Sequence, residues 1–323
     1  MMKVLGISFG RKMKCGDIMV KEALYKAKEA GSDVEFINTV NMDIGHCKGC
    51  GACSTVRDRG GQVKCIIKDD YLKLEEAILD ADGIIIAAPV YAVGIVGQYK
   101  NFLDRFGPAH DQAALLEEQK KRIADGKTGD ELLDQRYFKK RYVGYISVGG
   151  ASTQNWVSLG LPMMHLFEFS CHMKVVGQID AYDQGRKASP VLDSELMDQC
   201  GNLGKAVAEA VGRPYEEVEW VGEDGICPVC HCNLLSIGPD RSTKIECPVC
   251  GIYGELEIKN QKIQVSFSEE QKNRGRCTLT GLYEHYHEIQ GMIKICIPKL
   301  QENKDTLPKL LDKYEKFDQY INQ

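Results

Sequence analysis

No apolar stretch of this 323-residue sequence approaches the ~20 residues that a membrane-spanning helix needs. The N-terminus reads Met-Met-Lys-Val-Leu-Gly-Ile-Ser, without the apolar core and small-residue cleavage site of a secretory signal, so a cytoplasmic protein is expected. Positive charge is not in excess either. A net charge of −5 and a pI near 5.9 imply no general attraction for nucleic acid or a phospholipid surface. Internal repeats and low-complexity tracts are missing, as are a Gly-x-Ser-x-Gly elbow, a hydrolase triad and a helix-turn-helix. These absences argue against repeat architectures, serine hydrolases and DNA readers.

Cysteine is abundant: there are 14. Without a secretion signal, structural disulfides are not expected, and metal ligation is the better use in a reducing compartment. Eight fall into two clusters. The first is Cys47-x2-Cys50-x2-Cys53, followed by Cys65. Three thiolates at that spacing can wrap one corner of an inorganic cube and a fourth can close it, as in a [4Fe-4S] site. A zinc or redox-active site, or plain packing, remains open. The second cluster is Cys227-Pro-Val-Cys230 and, after 16 intervening residues, Cys247-Pro-Val-Cys250-Gly251. Two such knuckles present four thiolates in a tetrahedron and resemble a zinc ribbon, with rubredoxin-type iron as the rival. So short a segment lacks a core of its own, and Zn(2+) would supply folding energy. His231 and Cys232 read as bystanders. The other six (Cys15, Cys171, Cys200, Cys232, Cys277, Cys296) are expected to be mostly small buried hydrophobes.

Strand and helix patterns alternate along the first two thirds. Apolar runs at 3–9, around Val34–Ile37, at 83–89, at 142–148 and at 173–179 read as buried strands. Helical patterns intervene from Ile18 to Ala27, from an N-cap at Asp70, from Tyr99 to Phe106, over 112–125, over 155–171 and over 194–211. Right-handed crossovers then give an α/β fold: a doubly wound, parallel, five-stranded sheet between two helical layers. Pro214 and the acidic run Glu216–Glu223 mark a boundary. The expected division is a domain over 1–213 with a cysteine loop at 41–66, a zinc-ribbon-like module over 214–262, and a helical segment over 263–323. That last segment includes a helix from Leu307 to Ile321.

Ligands of open α/β sheets bind outside the carboxyl ends of the strands, where helix N-termini offer free N–H groups. The loop after the first strand therefore supplies candidate phosphate donors: Ser8, Gly10, Lys12, Lys14 and Gly16. Asp17 is awkward there, since its carboxylate competes with phosphate unless it serves the helix start.

Over residues 2–182 the chain resembles the NADPH-dependent FMN reductases of flavodoxin-like fold, and within them the iron–sulfur flavoproteins. The resemblance rests on the first strand, Cys-Lys-Gly-Cys-Gly-Ala-Cys with Cys65-Ile-Ile-Lys-Asp-Asp, and Ala-Pro-Val-Tyr with Gln98, Lys100, Phe102, Asp104 and Arg105. It implies that loop 8–17 holds the FMN phosphate, and that Pro89, Val90, Tyr91, Ala92, Val93 and Gly94 line the isoalloxazine. Gly149 and Gly150 match the family's Gly-Gly turn. The first loop keeps Ser8 but departs from the family's Ser-Gly-Ser-Pro-Arg-x-x-x-Asn-Thr pattern at Phe9, Arg11, Gly16 and Asp17. No side chain is an obligatory acid or base, and Tyr91 is the nearest catalytic candidate.

The resemblance implies an FMN-dependent oxidoreductase moving electrons between NAD(P)H or a ferredoxin-like donor, FMN and a [4Fe-4S] cluster at Cys47, Cys50, Cys53 and Cys65. It also implies a homodimer or homotetramer. A second reading is a reductase of a specific small organic substrate or quinone, with the cysteines structural. A third is a non-enzymatic redox-sensing or partner-binding protein. Glu216, Glu217, Glu219, Glu223 and Asp224 make nucleic acid an unsuitable partner for the cysteine module.

Overall fold

The computed structural model describes residues 2–317. Five parallel strands form the central sheet: β1 (Lys3–Ser8), β2 (Asp33–Asn38), β3 (Gly83–Tyr91), β5 (Tyr142–Val148) and β6 (Lys174–Ala181). Their order is β2-β1-β3-β5-β6, and a two-residue antiparallel strand, β4 (Gly94–Ile95), turns back on the end of β3. The chain order reverses between β1 and β3, which is where a doubly wound sheet opens its ligand crevice.

The sheet is buried on both faces, and side chains alternate along each strand. Val4 and Ile85 pack with Met19, Val20 and Ala23 of α1 (Cys15–Glu29) and with Leu203 and Val207 of a long later helix. Leu5, Ile7, Ile84 and Ile86 face the opposite layer, with Leu74 and Ile78 of α3 (Tyr71–Asp80) and Phe102 and Phe106 of α4 (Gly97–Ala109). Before α3, a short helix α2 (Ala52–Asp58) sits inside the cysteine loop. Helix α5 (Gln112–Ala124) follows α4, and α6 (Gly160–Met164) precedes the long helix α7 (Ser194–Ala210). A Cβ at Gly204 would lie 1.9 Å from the Ala23 carbonyl, so glycine is what lets α7 pack closely against α1.

Three expectations need correction. The pattern over 155–171 predicts one helix, but only Gly160–Met164 is α-helical, after a 3-10 turn at Gln154–Trp156. Gly160 and Pro162 are poor helix formers, and the following residues turn inward to bury His165 and Glu168. Asp70 does not cap α3. Its own backbone is helical, so its carboxylate accepts from the Asp43 N–H (2.9 Å) and Lys73 (2.7 Å), while Asp69 Oδ1 accepts from the Tyr71 N–H at 3.2 Å. Of the six scattered cysteines only Cys200 and Cys232 are buried; Cys15, Cys171 and Cys277 are half-buried and Cys296 is exposed.

Beyond Pro214 the chain adds an antiparallel sheet, β7 (Ser236–Ile237), β8 (Lys244–Glu246), β9 (Tyr253–Lys259) and β10 (Lys262–Ser266), in the order β10-β9-β8-β7. A parallel bridge from Gly177 to Val221 ties its approach to β6. Then come α8 (Glu269–Asn273), α9 (Leu279–Glu302) and α10 (Leu307–Glu315). The expected continuation of the last helix to Ile321 lies outside the described residues. The chain forms two compact units, Met1–Leu282 and Tyr283–Gln323. No helix among the described residues is long and apolar enough to cross a membrane.

Candidate flavin site and cysteine centres

The carboxyl ends of β1, β3 and β5 converge on the start of α1. A Cβ at Gly16 would lie 3.3 Å from Ala87 Cβ, 3.6 Å from Val148 Cγ2 and 3.8 Å from Ser8 Oγ. Ser8 is fully buried there, and its hydroxyl accepts from the Gly10 N–H at 3.4 Å. Lys14, the residue before α1, is extended and makes no side-chain cap, so the helix start is uncapped by protein. Such a start favours an anion. Lys12 and Lys14 stand exposed beside it.

Asp17 does not oppose this arrangement. Its Oδ2 accepts from the Met13 N–H (2.7 Å) and Lys21 (2.9 Å), and its Oδ1 from Asn38 (2.6 Å). Burial pushes its pKa up, but these three donors outweigh burial and hold it below the usual carboxylate range. The carboxylate is therefore spent on holding the loop, which the sequence could not disclose.

Tyr91 and Gly94 pair across a two-residue hairpin with Ala92 and Val93 at its tip. Both tip residues have positive φ, 50° and 71°. Tight hairpins of this hand need that conformation, but for a β-branched residue such as Val93 it is strained, at a cost of order 1–3 kcal/mol. Strain of this kind collects at ligand-gripping loops. Tyr91 itself is 58 % exposed. Gly149 carries its N–H to the Ala181 carbonyl, and a Cβ there would strike Val157 Cγ1 at 2.1 Å. Gly150 follows on an exposed turn.

Helix α4 starts two residues past this hairpin, and one face of it grips the cysteine loop. Gln98 donates to the carbonyls of Thr39 (2.8 Å) and Met42 (3.1 Å), Asn101 to Ile44 (3.0 Å), and Arg105 to Gly45 (3.2 Å). The spacing 98, 101, 105 puts all three side chains on one stripe. Arg105 is the strongest anchor. It is 3 % exposed, pairs with Asp69 at 2.5 Å, lies over the Tyr71 ring, and donates to Ile67 O (3.2 Å) and Cys65 Sγ (3.3 Å). The resemblance includes Arg105, but the sequence gives no hint of its thiol contact.

Around the first cysteines, Gly49 and Gly51 both take left-handed backbone, and the Gly49 N–H points to Cys47 Sγ at 3.4 Å. The donor set suits an iron–sulfur cluster by type. Cys47 and Cys50 are exposed and Cys53 and Cys65 half-buried, and among the described residues the four thiols do not gather closely enough to share a single metal ion.

The second quartet does. Cys227, Cys230, Cys247 and Cys250 are all buried, with their sulfur atoms within 4.8 Å of one another. The two knuckles repeat each other. Cys227 N–H bonds to Cys232 O (3.1 Å) and Cys247 N–H to Ile252 O (3.0 Å), while His231 N–H and Gly251 N–H return to Cys227 O and Cys247 O. His231 and Gly251 hold equivalent left-handed positions, φ 56° and 68°. Four thiolates so close cannot all carry charge without a cation among them, so the geometry fits one tetrahedral metal ion.

The sheet order, the uncapped start of α1 and the strained hairpin fit a flavodoxin-like flavoprotein. The sequence matches the NADPH-dependent FMN reductase family over residues 2–185, and the chain belongs to that family. It is also similar to the solved structure of a flavone reductase, which it covers over 97 % of both chains with a TM-score of 0.80 and 27 % identity. A flavone synthase of Aspergillus candidus is 29 % identical over 251 residues, 76 % of this chain and 75 % of that protein. An iron–sulfur flavoprotein of Methanocaldococcus jannaschii is 28 % identical over 218 residues, 65 % of this chain and 97 % of that one. This protein is thus a flavin-dependent oxidoreductase.

Proposed function

We propose that the protein uses FMN to reduce a small, conjugated, flavone-like ring compound with electrons from NAD(P)H. The supporting observation is the likeness to a flavone reductase across 97 % of both chains, through the cysteine module and beyond it. FMN, when bound, carries the hydride or single electrons. The chain's own residues do the rest. Ser8, Gly10, Lys12, Lys14 and the N–H groups at Cys15 and Gly16 receive the phosphate. The backbone of Pro89 to Gly94 offers N–H groups to the ring edge, Gly149 and Gly150 let main chain approach it, and Tyr91 is free to hydrogen-bond a substrate. The four thiols of 227–250 hold a structural metal.

A second reading, electron transfer through a [4Fe-4S] cluster, is favoured by the left-handed glycines between Cys47 and Cys53 and by the Arg105 contact to Cys65. The two readings separate on protein purified without oxygen. Steady NAD(P)H consumption that requires a flavone, and yields its reduced product, supports the first. About four irons per chain with turnover only on a ferredoxin-like partner replaces it with the second.

A further inference from the structure

The cysteine module holds more sulfur than one metal ion uses. Cys227, Cys230, Cys247 and Cys250 make the tetrahedral set, and a fifth thiol stands against it: Cys277 Sγ lies 3.7 Å from Cys250 Sγ. That separation falls between two contacts inside the quartet, 3.5 Å for Cys230–Cys247 and 3.8 Å for Cys227–Cys250. Cys277 is nonetheless outside the group whose sulfurs all lie within 4.8 Å of one another. It is the neighbour of one ligand and not itself a ligand.

Main-chain hydrogen bonds build this contact. Arg276 donates its N–H to the Cys250 carbonyl at 2.9 Å, and its guanidinium donates to the carbonyls of Pro248 (2.9 Å) and Val249 (3.3 Å). The Thr278 N–H bonds to Gly275 O at 2.8 Å, and the Cys277 carbonyl accepts from His172 Nδ1 at 3.0 Å. Bonds on both sides of Cys277 thus hold it against the second knuckle. The two thiols differ in access. The four quartet cysteines are at most 1 % exposed, whereas Cys277 is half-buried, in the loop between α8 and α9. An oxidant arriving from solvent meets Cys277 before any ligand. Thiol oxidation selects an accessible cysteine beside a second, resolving one, and Cys250 is in place to resolve.

We propose that Cys277 and Cys250 form a peroxide-oxidisable pair that releases the metal from the knuckles. The Cys277 thiol attacks hydrogen peroxide: the O–O bond breaks, an S–O bond forms and water leaves, which gives a sulfenic acid. The Cys250 sulfur then leaves the metal and attacks the Cys277 sulfur. An S–S bond forms, and the hydroxide expelled takes up a proton as a second water. Each sulfur loses one electron, and the two peroxide oxygens gain the pair. Three thiolates remain for the ion, fewer than the four of a closed structural site, so the metal is lost and with it the ligation that folds the module. The inference rests on the reading of the quartet as a metal site and goes beyond it, because it makes retention of that metal depend on a residue outside the quartet.

The test uses the whole, flavin-loaded chain reconstituted with zinc. Zinc release on adding hydrogen peroxide is followed with a chromogenic chelator, and disulfides are located by peptide mass. Release in step with a Cys250–Cys277 disulfide is expected, and a thiol reductant should restore zinc binding. Cys277→Ser should bind zinc as the wild type does and release it under peroxide about tenfold more slowly. Cys296→Ser, which removes an exposed thiol elsewhere, should behave as the wild type. Zinc kept under peroxide, or released equally fast from Cys277→Ser with disulfides only inside the quartet, would overturn the proposal. Loss of zinc binding in Cys277→Ser would overturn it too, since Cys277 would then be a ligand. A wild type that binds neither zinc nor iron at the quartet would instead dismiss the metal site, and this inference with it.

Discussion

Glu75 shows how much one buried group can decide. It lies on the buried face of α3, accepts from the Tyr71 hydroxyl at 2.8 Å and is 3.5 Å from His110 Nε2. Burial pushes its pKa up to about 7, against the pull of Tyr71 and Arg105. A carboxyl with a raised folded pKa binds its proton more tightly folded than unfolded. Its contribution to stability is therefore complete below about pH 4.5 and is lost as pH rises through about 7. The loss is of order 3 kcal/mol. Burial pushes His110 the opposite way, down to about 4, so it is a neutral neighbour through most of that window. Glu75→Gln should keep the contact to Tyr71 and flatten the fall in stability between pH 4.5 and 7, measured by denaturant unfolding against wild type. An unchanged pH profile would show that Glu75 ionises normally. Other decisive residues act the same way, through partners distant in sequence: Asp17 through Asn38, and Arg105 through Cys65 and Asp69. Such contacts leave no local pattern, so the sequence named Asp17 and Arg105 without their partners.

At the scale of elements, much was legible. Continuous apolar runs marked β1, β3 and β5, because a strand buried on both faces needs no polar side, while the edge strands β2 and β6 were marked by interrupted runs. The Cys-Pro-Val-Cys spacing pointed to the metal knuckles, because the ligand geometry is local to each turn. What failed was also local. The stretch 155–171 has helical apolar spacing, yet Gly160, Pro162 and the buried His165–Glu168 pair break it into turns. The grip of α4 on the cysteine loop was invisible until the fold brought Gln98, Asn101 and Arg105 against it. The knuckle module makes the clearest prediction here. Its small core is mostly the cysteines themselves, so a metal bound by them would supply most of its folding energy. One metal ion per chain is expected at Cys227, Cys230, Cys247 and Cys250. Removing it with a chelator should open residues 226–278 to protease while the parallel sheet keeps its flavin. A metal-free module that resists protease would contradict this.

At the scale of the whole molecule, the helical unit beyond Leu282 is unusually apolar at its surface. Ile289 is 39 % exposed, Ile293 47 % and Ile297 49 %, four residues apart on α9. Single exposed apolar side chains are ordinary, but a stripe at helical spacing marks an interaction surface. We propose that a second copy of the chain covers it, in line with the expected homo-oligomer. Light scattering should give a multiple of the 36.1 kDa chain mass, and Ile293→Glu with Ile297→Glu should reduce it to a single chain. A monomeric wild type would dismiss the idea. The central claim concerns where the electrons go. Its most direct test is a single turnover without oxygen: FMN-loaded protein is reduced, then mixed with either a flavone or a ferredoxin while the flavin absorbance is followed. Prompt reoxidation by the flavone, with the reduced ring compound formed in step, is expected. A flavin that stays reduced with the flavone and is oxidised only by ferredoxin would contradict the account and leave electron transfer as the function.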